Sequence, residues 1–124
     1  LTEKEKFDII LNLEVVEHVD DLDLYLQSCY NLLKTNGLMF TATINRTLIS
    51  YVKAIIGAEY ILRWLPIGTH DWNKFIKPEE LEKKLSNKKF TTNNIKGLEF
   101  NPISSKWKKS DNLSVNYIIC SSKN

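Results

Sequence analysis

The chain is poor in several residues that would mark common functions. Of its 124 residues only two are cysteine. Cys29 and Cys120 stand far apart, with neither CxxC spacing nor a dense framework, so a disulfide scaffold is excluded and free thiols in a reducing compartment are expected. Charge of one sign is also scarce: the formal net charge is +2, and no finger, basic-helix or RNA-binding signature is present, so nucleic acid is set aside as a partner. No charged-then-apolar leader with a small-residue cleavage site opens the sequence, and secretion is not expected. The four glycines, Gly37, Gly57, Gly68 and Gly97, form no GxGxG arrangement. The longest apolar segment, 47–65, would make roughly 28 Å of helix, yet Lys53, Glu59 and Arg63 interrupt it, which argues against a membrane-spanning role.

What is present reads as one soluble α/β domain over 1–124. Hydrophobic residues make up 43% and charged residues 26%, ordinary for a globular protein. FDIILNLEVVEHVDD, residues 7–21, begins with the continuous apolar pattern of a parallel strand covered by helices on both faces. Leu22, Tyr25, Leu26, Cys29, Leu32 and Leu33 then recur at helical spacing, and Gly37 is expected to stop that helix before the short strand LMFTAT. Strand, helix, strand in this order implies a parallel crossover. Residues 46–77 interrupt the alternation with an inserted amphipathic helix followed by an irregular loop. KPEELEKKL is a second helix, with Pro78 at its first position. FTTNNIKGLEFN and LSVNYIICSS close the sheet as an antiparallel pair, separated by a loop around Pro102 and Trp107.

The order FDIILNLEVVEHV, LLKTNGLMFTATINR, GAEYILRWLPIGTHDWNKFIKPEEL, GLEFNPI and SVNYI resembles the ubiquinone-pathway O-methyltransferases of the UbiG family over nearly the whole chain. The EH pair and the turn before LMFTAT are shared by many class I methyltransferases, whereas GTHDWNKFIKPEEL and NPI are more specific. The resemblance implies a Rossmann-like sheet of order 3-2-1-4-5-7-6, of which this chain would carry strands 4-5-7-6. It also implies O-methylation of polyprenyl phenol and quinol intermediates with S-adenosylmethionine as methyl donor. The family's glycine-rich cofactor loop and ribose-binding acidic residue have no counterpart here. The chain therefore resembles the C-terminal portion of such an enzyme, and its partners are expected to include the missing N-terminal half or a second copy.

Residues at the carboxyl ends of parallel strands line ligand sites. On a helical turn Glu14, Glu17 and His18 would share one face, and their oxygens and imidazole suit Mg²⁺, with Zn²⁺ or Mn²⁺ as alternatives. The resemblance implies a divalent metal at this E-x-x-E-H arrangement. The same residues fit an equally ordinary role, the two carboxylates offsetting a helix dipole and His18 packing locally. The resemblance implies that Leu13 and Glu14 line the adenosyl cofactor, although Leu13 equally reads as the ordinary last residue of a buried strand. Without a metal, His18 or His70 is the general base, although His70 also reads as a turn residue fixed by Asp71. Asn45 and Arg46 begin a substrate-facing loop or cap a helix. Tyr51, Ile55, Ala58, Leu62 and Leu65 share a face of the inserted helix, and Trp64 and Tyr60 favour a membrane interface. The expected location is cytoplasmic, peripherally attached to the inner membrane by an anionic lipid surface. Two rivals remain: a methyltransferase for another small hydroxylated substrate, and a non-catalytic lipid-surface or interaction module.

Overall fold

The computed structural model describes residues 2–53, 56, 63, 66–68, 71–101 and 103–124. Its elements are β1 (Phe7–Leu13), α1 (Leu22–Leu32), β2 (Leu33–Ile44), α2 (Leu48–Ser50), α3 (Pro78–Asn87), β3 (Phe90–Asn101), β4 (Lys106–Ser110) and β5 (Asn116–Lys123). The strands form one sheet of order β1-β2-β5-β3-β4. β1 and β2 run parallel, with Leu11 opposite Phe40, and the remaining ladders are antiparallel. With β4 set aside, this is the expected 4-5-7-6 order.

Local chemistry explains the helices. The Asp21 side chain caps α1 by accepting from the Leu24 N–H at 3.0 Å, satisfying one of the first turn's free donors. Pro78 occupies the first turn of α3, where Glu79 and Glu80 offset the helix dipole. Both helices lay their apolar stripes on one sheet face. Leu26 and Cys29 from α1 and Leu81 and Leu85 from α3 pack with Met39, Tyr117 and Ile119 to form the core.

The opposite face differs from expectation. Phe7, Ile9, Leu11 and Leu13 are 55%, 55%, 60% and 56% exposed, so β1 is covered on one face among the described residues, not on two. Side chains alternate along a strand, and α1 and α3 both serve the face that receives Ile10 and Asn12. β1 is also the sheet's edge.

Three local expectations are corrected. α1 ends at Leu32 without help from Gly37, because β2 begins at once and the left-handed residue is Asn36, with φ of 66°. Gly37 is needed for space: a Cβ there would lie 2.7 Å from Leu33 Cδ1 and 2.8 Å from the Lys34 carbonyl oxygen. The second strand is 12 residues long, not a short one. The segment around Trp107 is no loop but strand β4, which pairs with β3 so that Trp107 faces Phe100. Of the inserted helix, α2 and the turn following it are described, while Ile55, Ala58, Tyr60, Ile61, Leu62, Trp64 and Leu65 lie outside the described residues.

Candidate active site

The carboxyl ends of β1 and β2 lie side by side, with Leu13 opposite Ala42. At the first end the backbone turns sharply: Glu14 has φ of 56° while its N–H still donates to the Ala42 carbonyl at 2.8 Å. A non-glycine residue seldom adopts this conformation, and such strain concentrates at functional sites. Val16–His18 then form a single 3-10 turn.

This geometry corrects the expected metal set. Convergence of Glu14, Glu17 and His18 required all three on one helical turn, but Glu14 precedes the turn in a left-handed conformation and remains exposed. Glu17 points inward, where it is buried and accepts a 2.8 Å hydrogen bond from Thr43 Oγ1. His18 is half-exposed, its Nε2 lying 4.0 Å from Glu17 Oε1. Among the described residues no three His, Cys, Asp or Glu side chains gather to hold a metal ion, so Mg²⁺ or Zn²⁺ does not fit this arrangement.

Asn45 and Arg46 follow β2 and have separate roles. The Asn45 amide donates from Nδ2 to the Leu113 carbonyl at 2.8 Å, and its backbone N–H to that of Val115 at 2.6 Å. This orientation leaves Oδ1 buried without a partner. Arg46 is held within the fold, donating to Glu80 at 2.6 Å and to the Phe75 carbonyl at 3.2 Å. Its guanidinium ties the start of the 46–77 segment to its returning end and to α3. Thr47 adds to that tie: its hydroxyl donates to the Ser114 carbonyl at 2.5 Å, and its carbonyl accepts from Trp72 Nε1 at 2.9 Å. His70 lies outside the described residues.

Two buried polar groups escaped the sequence reading. Asn12 sits within the apolar run of β1 yet accepts a 2.6 Å hydrogen bond from the Tyr25 hydroxyl. Burial raises the pKa of Tyr25 above its usual value and likewise that of the neighbouring Cys29 thiol, which marks Cys29 as a packing residue rather than a nucleophile. Tyr117 donates to the Ile76 carbonyl at 2.6 Å. Burial, reinforced by the carboxylates of Glu79, Glu80 and Glu17, pushes its hydroxyl far above the ordinary tyrosine range. An asparagine inside a strand pattern was the one available signal for Asn12; nothing local marks Tyr117.

Comparison with known proteins supplies the family. Residues 1–92 match the family model described as a methyltransferase domain. The ubiquinone biosynthesis O-methyltransferase of Pelagibacter ubique is 53% identical over 118 residues, covering 95% of this chain and 49% of that protein. The protein of the same name from Chelativorans sp. is 52% identical, covering 96% and 47%. Among solved structures, an S-adenosylmethionine-dependent methyltransferase from Thermotoga maritima shares the fold with a TM-score of 0.65 at 18% identity, covering 97% of this chain and 57% of that one. Magnesium protoporphyrin IX methyltransferase from Synechocystis does so at 0.56 and 16%, covering 96% and 45%. The chain spans about half the length of the curated relatives it matches. With three-quarters of its residues inside the domain match and its sheet shared with these structures, the chain belongs to the methyltransferase-domain family.

Proposed function

We propose that the protein transfers a methyl group from S-adenosylmethionine to a hydroxyl oxygen of a polyprenylated phenol or quinol in ubiquinone biosynthesis. The observation that carries this reading is 53% identity across 95% of the chain with a ubiquinone biosynthesis O-methyltransferase, against 18% for a structure sharing the fold.

S-adenosylmethionine, when bound, supplies an electrophilic methyl carbon. The residues present fit one wall of a site for it. Leu13 and Glu14 stand at the carboxyl end of β1, and the turn at Glu14 leaves the Leu13 side chain exposed there. No GxGxG cradle exists among the four glycines, so the remaining contacts belong to the length of the relatives that this chain does not span. The edge position of β1 and its exposed apolar face support the same partner, because unpaired backbone groups beside apolar side chains suit addition of further strands and helices. A second copy of the chain is the alternative occupant.

Methyl transfer requires the substrate oxygen in line with the methyl carbon at roughly 3 to 3.5 Å. A neutral phenol is a poor nucleophile, and removing its proton is the task left to the protein. His18, half-exposed beside buried Glu17 at the end of β1, is the described side chain suited to accept that proton. Among the described residues no helix is long and apolar enough to cross a membrane. Leu48, Ile49 and Val52 nevertheless expose apolar surface at the start of the inserted segment, which supports peripheral contact with an anionic membrane surface that carries the prenylated substrate.

The test is methyl transfer by the full-length protein to a polyprenyl catechol and to the same catechol without its tail. Faster turnover of the prenylated acceptor is expected. Equal rates would favour a small-substrate methyltransferase, and no transfer to either would favour a non-catalytic module.

A further inference from the structure

The segment between β3 and β5 forms a hairpin whose placement is informative. β3 is antiparallel to β5, and β5 to β2, so β3 runs parallel to β2 and its last residues lie at the same end of the sheet as the carboxyl ends of β1 and β2. The hairpin tip extends from that end. Asn101 Oδ1 accepts from the backbone N–H groups of Ile103 at 2.9 Å and Ser104 at 3.4 Å, and Ser105 takes a left-handed φ of 56°. This turn holds Ile103 95% exposed. Behind it Trp107, 55% exposed, packs on Phe100 with ring centroids 5.1 Å apart.

Charge accompanies this apolar tip. Between residues 99 and 109 the lysines Lys106, Lys108 and Lys109 stand against Glu99 alone, and Glu99 lies 3.7 Å from Lys108. Alternation along β4 puts Lys109 on the face of Trp107 and Lys106 on the other. β4 is the edge opposite β1, four strand spacings or roughly 19 Å away.

An amphipathic aromatic, an exposed aliphatic side chain and flanking ammonium groups together match the layered chemistry of an anionic bilayer surface, with apolar depth below and phosphates above. We propose that the tip of the β3–β4 hairpin docks on an anionic lipid bilayer, with Ile103 and Trp107 entering the interfacial layer and Lys106 and Lys109 meeting lipid phosphates. The hairpin is a contact separate from residues 46–77, and the proposal holds whatever the methyl acceptor is.

Flotation of the full-length protein with phosphatidylcholine vesicles, with and without phosphatidylglycerol, tests this. Replacing Lys106→Gln together with Lys109→Gln is expected to lower partition onto the phosphatidylglycerol vesicles by about fivefold per lysine at low salt. It should leave partition onto pure phosphatidylcholine unchanged. Ile103→Asp, at a position with almost no packing to lose, is expected to lower partition severalfold on both vesicle types. Matching circular dichroism spectra exclude misfolding. Unchanged partition of both variants overturns the proposal. Loss of self-association in sedimentation, with flotation unaltered, also overturns it and assigns the hairpin to a protein contact.

Discussion

Replacing Tyr117 by phenylalanine gives a sharp test of how the sheet holds the returning end of the 46–77 segment. The hydroxyl is buried and donates to the Ile76 carbonyl at 2.6 Å, while the Ile76 N–H donates to the Ile44 carbonyl at 3.2 Å. Removing the donor leaves a buried acceptor without its partner, which costs about 1 to 3 kcal/mol. The pH dependence adds a signature that a packing defect would lack. Burial raises the folded-state pKa of Tyr117 above its unfolded value, so the stabilisation is fully present below about pH 10, the usual tyrosine pKa. It is lost as pH rises beyond that value, because the unfolded chain releases the proton and the folded one does not. The wild type should therefore lose about 1.4 kcal/mol per pH unit from this group above pH 10. The phenylalanine variant lacks that slope. Urea unfolding of both proteins at pH 8, 10 and 11 measures the difference, which should be unchanged well below pH 10 and have shrunk by about 1.4 kcal/mol in total by pH 11. Stability curves that stay parallel through pH 11 would refute the buried, donating hydroxyl.

Three other outcomes follow from the same geometry. Titration calorimetry of the 124-residue chain with S-adenosylmethionine should give no measurable binding, since one wall of the site is present; micromolar affinity would contradict the half-site reading. In the full-length protein, His18→Ala should lower kcat by about 10² to 10⁴ at neutral pH and leave cofactor affinity unchanged. The deficit should narrow above the acceptor's own pKa, and an undiminished kcat would remove His18 as the base. Gly97→Ala should destabilise the β3–β5 region severely, because a Cβ there would run into the Asn112 carbonyl; hydrogen exchange of β3 and β4 amides at the wild-type rate would show that the backbone yields instead.

Helices α1 and α3 and the strands β1 and β2 were legible because each carries its own local signal. Pro78 announces a helix start, the spacing of Leu22, Leu26 and Cys29 defines a face, and LMFTAT needs no partner to read as a strand. β4 was missed because KWKKS is short and charged. Its strand conformation comes from the register that the Asn101 turn imposes on the chain as it returns along β3. The partners of Arg46 were not legible for a similar reason: its position after a strand end is local information, but Glu80 and the Phe75 carbonyl reach it only when α3 packs against the sheet.

The sequence by itself determined the α/β class, the order of the principal elements, the family resemblance and the cluster of chemistry-bearing residues after β1, because these rest on periodicity, capping and motif spacing along the chain. Tertiary structure alone decided how that cluster is arranged. A left-handed Glu14 and the hydrogen bond drawing Glu17 toward Thr43 separate three side chains whose spacing would unite them on a helix. It alone decided also which face of β1 is covered, since the apolar run is the same whether helices lie on one side or two. The physical reason is that burial and hydrogen-bond partnership are properties of neighbours in space, and Thr43, Ile76 and Glu80 become neighbours of Glu17, Tyr117 and Arg46 only after the sheet has assembled.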